Sequence, residues 1–169
     1  GLGLVSPIGN TVQAAWTSLL AGKSGVATVK KFDHSLLNVH IAAEVKDFRI
    51  EDYLSAKEAR HLDSFIQYGI AAGTQAIRDS GIDVHEANAD RIGVMVGSGI
   101  GGLPSIEETG AELLKRGPRR ISPFFVPGSI INMISGQLSI IFGLKGPNIA
   151  TVTACTTGLH SIGLAARLI

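Results

Sequence analysis

The 169-residue chain holds one cysteine, Cys155, in the stretch Asn148–Gly158. Ile149 to Thr153 are small or β-branched, the composition of a buried strand. From Thr156 the pattern becomes helical, with Leu159, Ile162, Gly163, Ala166 and Ile169 at spacings of three and four. A thiol at that junction lies near the positive end of a helix dipole, among backbone N–H groups without helical partners. Both features favour thiolate, the nucleophilic form, and covalent catalysis by such a group divides a hard reaction into two easier steps. A lone cysteine is equally a small apolar residue of a core, and the residues alone leave both readings open. His160, five positions on, falls nearer the far side of the helix. It is a poor general base for Cys155 and reads as structural.

Three other patterns invite a chemical reading. Gly97, Gly99 and Gly102 match the dinucleotide fingerprint GxGxxG after an apolar strand. That fingerprint needs an acidic strand end about 20 residues later, where this chain has the turn Gly117–Pro123. The glycines instead let a loop pass close to a buried site. Gly22-Lys23-Ser24 fails as a phosphate loop, because the position that needs glycine is Thr17, inside a helix. Lys57, Arg60 and His61 crowd the start of a helix opened by the capping box Ser55–Glu58, where acidic residues are preferred. Such a conflict marks either function or an ordinary solvated face.

The elements that position these residues alternate. Asn10 is expected to cap a helix carrying Val12, Ala15, Trp16, Leu19 and Leu20 and ending at Gly22. Gly25–Asn38 reads as loop and His40–Val45 as a short edge strand. A helix from Ser55 to Gly81 carries Leu62, Phe65, Ile66, Ile70 and Ile77, with Gly69 and Gly73 permitting close packing. Arg91–Ser98 reads as a buried strand, Pro104–Arg116 as a helix, and Pro127–Gly143 as a helix apolar on most of its circumference. The alternation predicts an α/β layered fold with a mainly parallel sheet.

Composition bounds the rest. Charged residues are only 17% and hydrophobic residues 45%, so a large contact with another surface is expected. A net charge of +1 argues against nucleic-acid binding. One cysteine excludes a disulfide framework and a cysteine-rich metal site, and fits a reducing cytoplasm. The apolar run Ile130–Leu144 is broken by Asn132, Ser135 and Gln137, which reads as a buried helix rather than a membrane span. Gly1–Pro7 looks like the tail of a strand, and Ile169 lies in a helical pattern with no C-cap. The expectation is a piece of a longer protein, cut at both ends.

Several stretches, in order, resemble the β-ketoacyl-acyl carrier protein synthases, most closely their bacterial synthase II branch. They are Gly1-Leu2-Gly3 with Ser6–Asn10, Phe65–Gly69, Gly97–Gly102, Ile121–Pro127 and Thr153–Gly158. The resemblance implies the thiolase fold, two similar α/β halves packed in five αβαβα layers, with residues 1–169 as the first, N-terminal half-domain. The family's two catalytic histidines, its active-site lysine and a gating phenylalanine belong to the other half; His34, His40, His61, His85 and His160 match none of them.

By this likeness Cys155 is the nucleophile that takes an acyl group from the phosphopantetheine arm of acyl carrier protein. The protein then needs no cofactor or metal of its own. The Cys155 N–H would be the first oxyanion donor. Ile100 would sit at the acyl pocket, and Phe125 and Val126 would reach the pocket of a second subunit in a homodimer. Lys57, Arg60, His61, Arg119 and Arg120 would dock the acidic carrier, with His61 replacing a lysine common there. Rival assignments are a polyketide ketosynthase, synthase I, and a non-catalytic chain-length factor, which lacks the cysteine. The piece alone is expected not to condense acyl groups.

Overall fold

The computed structural model describes Gly1–Ile169. The chain divides into two units, residues 1–49 with 71–81, and residues 50–70 with 82–169.

In the first unit, α1 (Val12–Leu20) is capped by Thr11, whose hydroxyl accepts the Ala14 N–H at 3.2 Å. Asn10, expected as the cap, instead donates its amide to the Lys46 carbonyl at 2.8 Å. The helix stops before Gly22, whose φ of 62° suits a residue without Cβ. β1 (Ala27–Thr28) pairs antiparallel with β2 (Ile41–Ala42). The expected loop over 25–38 therefore contains a strand, and the edge strand beside it is shorter than predicted. Residues 1–5 lie outside any ladder, contrary to the strand reading. They are fixed by side chains of the last turns of a helix ending at Ser80. Asp79 Oδ2 accepts the Leu2 N–H at 2.7 Å, and Gln75 Oε1 accepts the Leu4 N–H at 3.2 Å. Any Cβ at Gly1 or Gly3 would run into the backbone of Ala76 or Ala72.

In the second unit, the single helix expected from Ser55 to Gly81 is two. The capping box forms as read, with Ser55 and Glu58 satisfying each other's N–H groups, but α2 is only Ala56–Ala59. α3 (Ser64–Ser80), which from Ala71 onward belongs to the first unit, starts afresh after a break at residues 60–63. Ile66 and Ile70 on α3 are fully buried. Gly69 lies against α6 (Met133–Phe142), where a Cβ would come within 2.5 Å of Ile134. The expected helix over 127–143 is likewise divided, into α5 (Phe125–Ser129) and α6, and only Ile134, Ser135 and Leu138 of α6 are buried. Ile140 remains exposed. α6 ends at Gly143, in the left-handed conformation.

The parallel pair is β3 (Val94–Met95) with β4 (Asn148–Ile149). The chain crosses between them through α4 (Leu103–Arg116), α5 and α6. The two ladder pairs are continued by a side chain. Ser135, fully buried, accepts the Val96 N–H at 3.1 Å and places its hydroxyl 3.0 Å from the Val96 carbonyl and 3.1 Å from that of Ile149. β4 is not the long buried strand expected over 149–153, since it is two residues long and exposed. It has a ladder partner on one edge only.

α7 (Thr157–Leu168) forms where the helical spacing predicts it. Its buried residues are Thr157 and Ser161, while Leu159 and Ile162 of the apolar stripe stand 73% and 70% exposed. Small hydroxyl residues permit close approach to β3, so the helix turns its polar seam inward. No helix is long and apolar enough to cross a membrane.

Candidate active site

β3 and β4 run parallel, so both chain segments leaving their C-terminal ends emerge on one side, where α/β folds place ligands. After β3 comes the glycine loop 97–102 and after β4 the segment carrying Cys155. The latter bends sharply: Thr153 has φ −140° and ψ 39°, and a 3-10 turn over Ala154–Thr156 leads directly into α7. Ala154 has φ 53°, one of two non-glycine residues in the left-handed region. Such a conformation costs about 1–3 kcal/mol and persists only where surroundings enforce it. Strained strand-to-helix elbows are a way of presenting a nucleophile.

Hydroxyl groups enforce this one. Thr157 Oγ1 accepts the Thr153 N–H at 2.9 Å and donates to the Ala154 carbonyl at 2.7 Å. Thr156 Oγ1 donates to the Thr153 carbonyl at 2.7 Å. Thr151 and Ser161 hydroxyls meet at 2.8 Å underneath. His160 Nδ1 lies 2.6 Å from Thr153 Oγ1, a holding role in keeping with the reading of His160 as structural. Cys155 is a free, exposed thiol at the crest.

The glycine loop packs on the elbow as its composition predicts. A Cβ at Gly97 would strike the Thr151 carbonyl and the Thr157 methyl, and one at Gly99 would sit 3.4 Å from the Ala154 carbonyl. Ile100 projects from that loop and is 69% exposed.

The basic residues lie around a different feature. The break at 60–63 centres on Asp63, which is 8% exposed. Its Oδ2 accepts the backbone N–H of Ser105 at 3.1 Å and the Ser105 hydroxyl at 2.6 Å. Its Oδ1 accepts from the Ser64 hydroxyl and the Phe65 N–H, each at 3.3 Å. One carboxylate thus caps the N-termini of α3 and α4. This resolves the dipole conflict seen in the sequence, because the long helix begins after Asp63, and the short α2 has Glu58 in its first turn. The Ser55 hydroxyl, then its N–H, hold the Glu58 carboxyl below the usual carboxylate range.

Arg60 Nε donates to His61 Nε2 at 3.1 Å, and the His61 ring stacks on Phe124 at 4.0 Å between centroids. A cleft of about 430 Å³ opens here, lined by Arg60, His61, Asp63, Ser105, Ser122 and Phe125 among others. Arg119 and Arg120 occupy the 3-10 turn Pro118–Arg120, just ahead of Ser122. Phe125 therefore shares a cleft with two of the docking candidates, whereas Val126, 56% exposed, does not line it. Cys155, Ile100 and Lys57 do not line it either. Residue-level reasoning missed Asp63, Thr157 and the backbone of Ala154. Asp63 had a visible signal, since Asp is a preferred cap, but the apolar period of Leu62, Phe65 and Ile66 runs straight across the break.

The family model described as the N-terminal domain of β-ketoacyl synthase matches residues 1–169. Among similar proteins, 3-oxoacyl-[acyl-carrier-protein] synthase 2 of Vibrio cholerae is 58% identical over 169 residues, which cover 100% of this chain and 41% of that protein. The synthase 2 of Coxiella burnetii is 56% identical with the same coverage. That of Staphylococcus aureus is 49% identical, with 42% of its length matched. The chain thus spans less than half the length of these relatives. Two solved structures share the fold. A β-ketoacyl synthase from Burkholderia phymatum superposes with a TM-score of 0.80 at 23% identity, covering 99% of this chain and 41% of that one. A type II polyketide ketosynthase, solved with its acyl-carrier protein, gives 0.77 at 24% identity, covering 100% and 45%. The α/β, thiolase-like fold expected from the sequence is borne out.

Proposed function

We propose, since this chain belongs to the β-ketoacyl synthase family and matches its N-terminal domain, that it carries the nucleophile of a 3-oxoacyl-acyl carrier protein synthase of fatty-acid synthesis. The observation that carries the proposal is the exposed Cys155 on a strained elbow at the C-terminal end of a parallel strand pair.

The Cys155 thiolate attacks the thioester carbonyl of an acyl group on the phosphopantetheine arm of acyl carrier protein. The C–S bond to Cys155 forms, the carbonyl oxygen takes the negative charge, and the Cys155 N–H donates to it. Collapse expels the pantetheine thiolate, which takes up a proton, and leaves the acyl group on Cys155. A malonyl group on a second carrier then loses CO2. Its carbanion attacks the Cys155 thioester, and the sulfur leaves as thiolate, so the chain grows by two carbons. Decarboxylation falls to the histidines that the family carries in its other half-domain. Phosphopantetheine arrives on the substrate, so no resident cofactor enters the cycle.

Lys57, Arg60 and His61, with Arg119 and Arg120, form the docking face for the acidic carrier. Ile100, Phe125 and Val126 face the acyl chain, the latter two across a homodimer, in the cytoplasm. A polyketide ketosynthase is the second reading. The 49–58% identity to proteins named 3-oxoacyl-[acyl-carrier-protein] synthase 2 favours the first.

The test is acyl transfer measured on the intact protein by site-resolved mass spectrometry. Incubation with acyl-carrier protein adds one acyl mass at Cys155, and Cys155→Ala lowers the rate by about a thousandfold or more. Acylation persisting in Cys155→Ala at near wild-type rate would sink the assignment. Residues 1–169 alone yield no ketoacyl product.

A further inference from the structure

We infer that Thr157 is the positioning residue that aims the Cys155 backbone N–H at the developing oxyanion, a role that rests on the acyl-transfer reading above. A peptide unit is planar, so fixing its carbonyl oxygen fixes the N–H on the other side of the same bond. The peptide unit in question joins Ala154 to Cys155. Its oxygen receives the Thr157 hydroxyl proton at 2.7 Å, and the same hydroxyl oxygen receives the Thr153 N–H at 2.9 Å. One side chain therefore ties the peptide unit that follows Ala154, the residue at φ 53°, to the unit that precedes Thr153, and the Thr157 N–H reaches the same Ala154 carbonyl.

Nothing in an alanine favours the left-handed conformation, so Ala154 depends on this hydroxyl together with the Thr157 N–H on its own carbonyl and the Thr156 hydroxyl on the Thr153 carbonyl. Relaxation of Ala154 toward negative φ would rotate the Ala154–Cys155 peptide plane and with it the Cys155 N–H. Thr157 is only 4% exposed, and Gly97 presses on its methyl group. The hydroxyl is thus held in place from behind, and water has little access to replace it. Thr157 touches no reacting atom; it acts through the peptide plane.

This geometry separates two reactions of the same sulfur. Acyl transfer builds charge on a carbonyl oxygen and needs the N–H donor. Alkylation by iodoacetamide displaces iodide from a methylene carbon and builds no such oxyanion. The experiment compares both rates at Cys155 in the intact protein, read by site-resolved mass spectrometry, for wild type, Thr157→Val, Thr157→Ser and the control Thr151→Val.

In Thr157→Val, acylation from an acyl-carrier thioester falls about a hundredfold, the order expected for a lost oxyanion donor. Iodoacetamide alkylation stays within about twofold, and Thr157→Ser recovers acylation, while Thr151→Val loses stability without separating the two rates. If Thr157→Val does not fold, Thr157→Ala, which also lacks the hydroxyl, takes its place. Equal loss of both rates, or acylation at wild-type speed without the hydroxyl, overturns the inference alone. Failure of the wild type itself to acylate overturns the acyl-transfer reading and this inference with it.

Discussion

At the elbow, residues 153–157 are held by neutral hydroxyls, and the thiol they carry lies open to solvent. At residues 60–63 a buried carboxylate does the holding with the Gln67 amide, which donates to the Ala59 and Leu62 carbonyls, and Arg60 beside them is exposed. The two regions fix short irregular segments by opposite means. The elbow keeps an alanine in an unfavourable backbone region, which serves aim rather than stability. The Asp63 junction places a full charge at two helix N-termini, where the dipole and the unpaired N–H groups welcome it. The segment that carries Cys155 is strained and shallow, whereas the one that carries Arg60 and His61 is anchored by a buried carboxylate and holds no residue in the left-handed region.

The largest expected effect lies at the junction. Asp63→Ala leaves the Ser105 and Phe65 N–H groups without their acceptor, and loses about 3 kcal/mol of unfolding free energy in urea titration. A loss below about 1 kcal/mol would show that solvent caps both helices and would break the contrast. Next comes the elbow, with the opposite sign. Ala154→Gly removes the steric penalty at φ 53° and raises stability by about 1 kcal/mol in the same assay, less the entropy glycine adds to the unfolded chain. A marked loss instead would mean that Ala154 is not strained. The smallest stability effect is predicted for Lys57→Glu with Arg60→Glu, within about 0.5 kcal/mol, because both side chains are exposed. Their effect appears in binding. Affinity for the acidic carrier falls at low salt, and the difference narrows as salt rises. Unchanged affinity and salt slope would remove these residues from the docking face.

Much of the frame was legible where local chemistry decides. The Ser55–Glu58 capping box, the stop at Gly143 and the passage of the glycine loop against the elbow follow from residue types. The breaks within the Ser55–Gly81 and Pro127–Gly143 patterns were not legible, because hydrophobic period persists across a turn that keeps the same side inward. In α7 the helix forms as its period predicts. The side with Thr157 and Ser161 is narrow enough to approach β3, and the apolar stripe points away. At the elbow Cys155 announced itself by type and place, whereas Ala154 carries no mark of its left-handed backbone. That conformation is held by the hydroxyls of Thr156 and Thr157 and by the backbone bonds of the turn that follows.

Ser135 has a consequence for how the two loops are coordinated. Its hydroxyl has a single proton for two carbonyls, those of Val96 and Ile149, at nearly equal distances. It therefore serves as a shared rung just beyond both strands, at the roots of the glycine loop and the elbow. A small slide of α6 along its axis would reach both roots through one oxygen atom, so the two walls of the site would move in step.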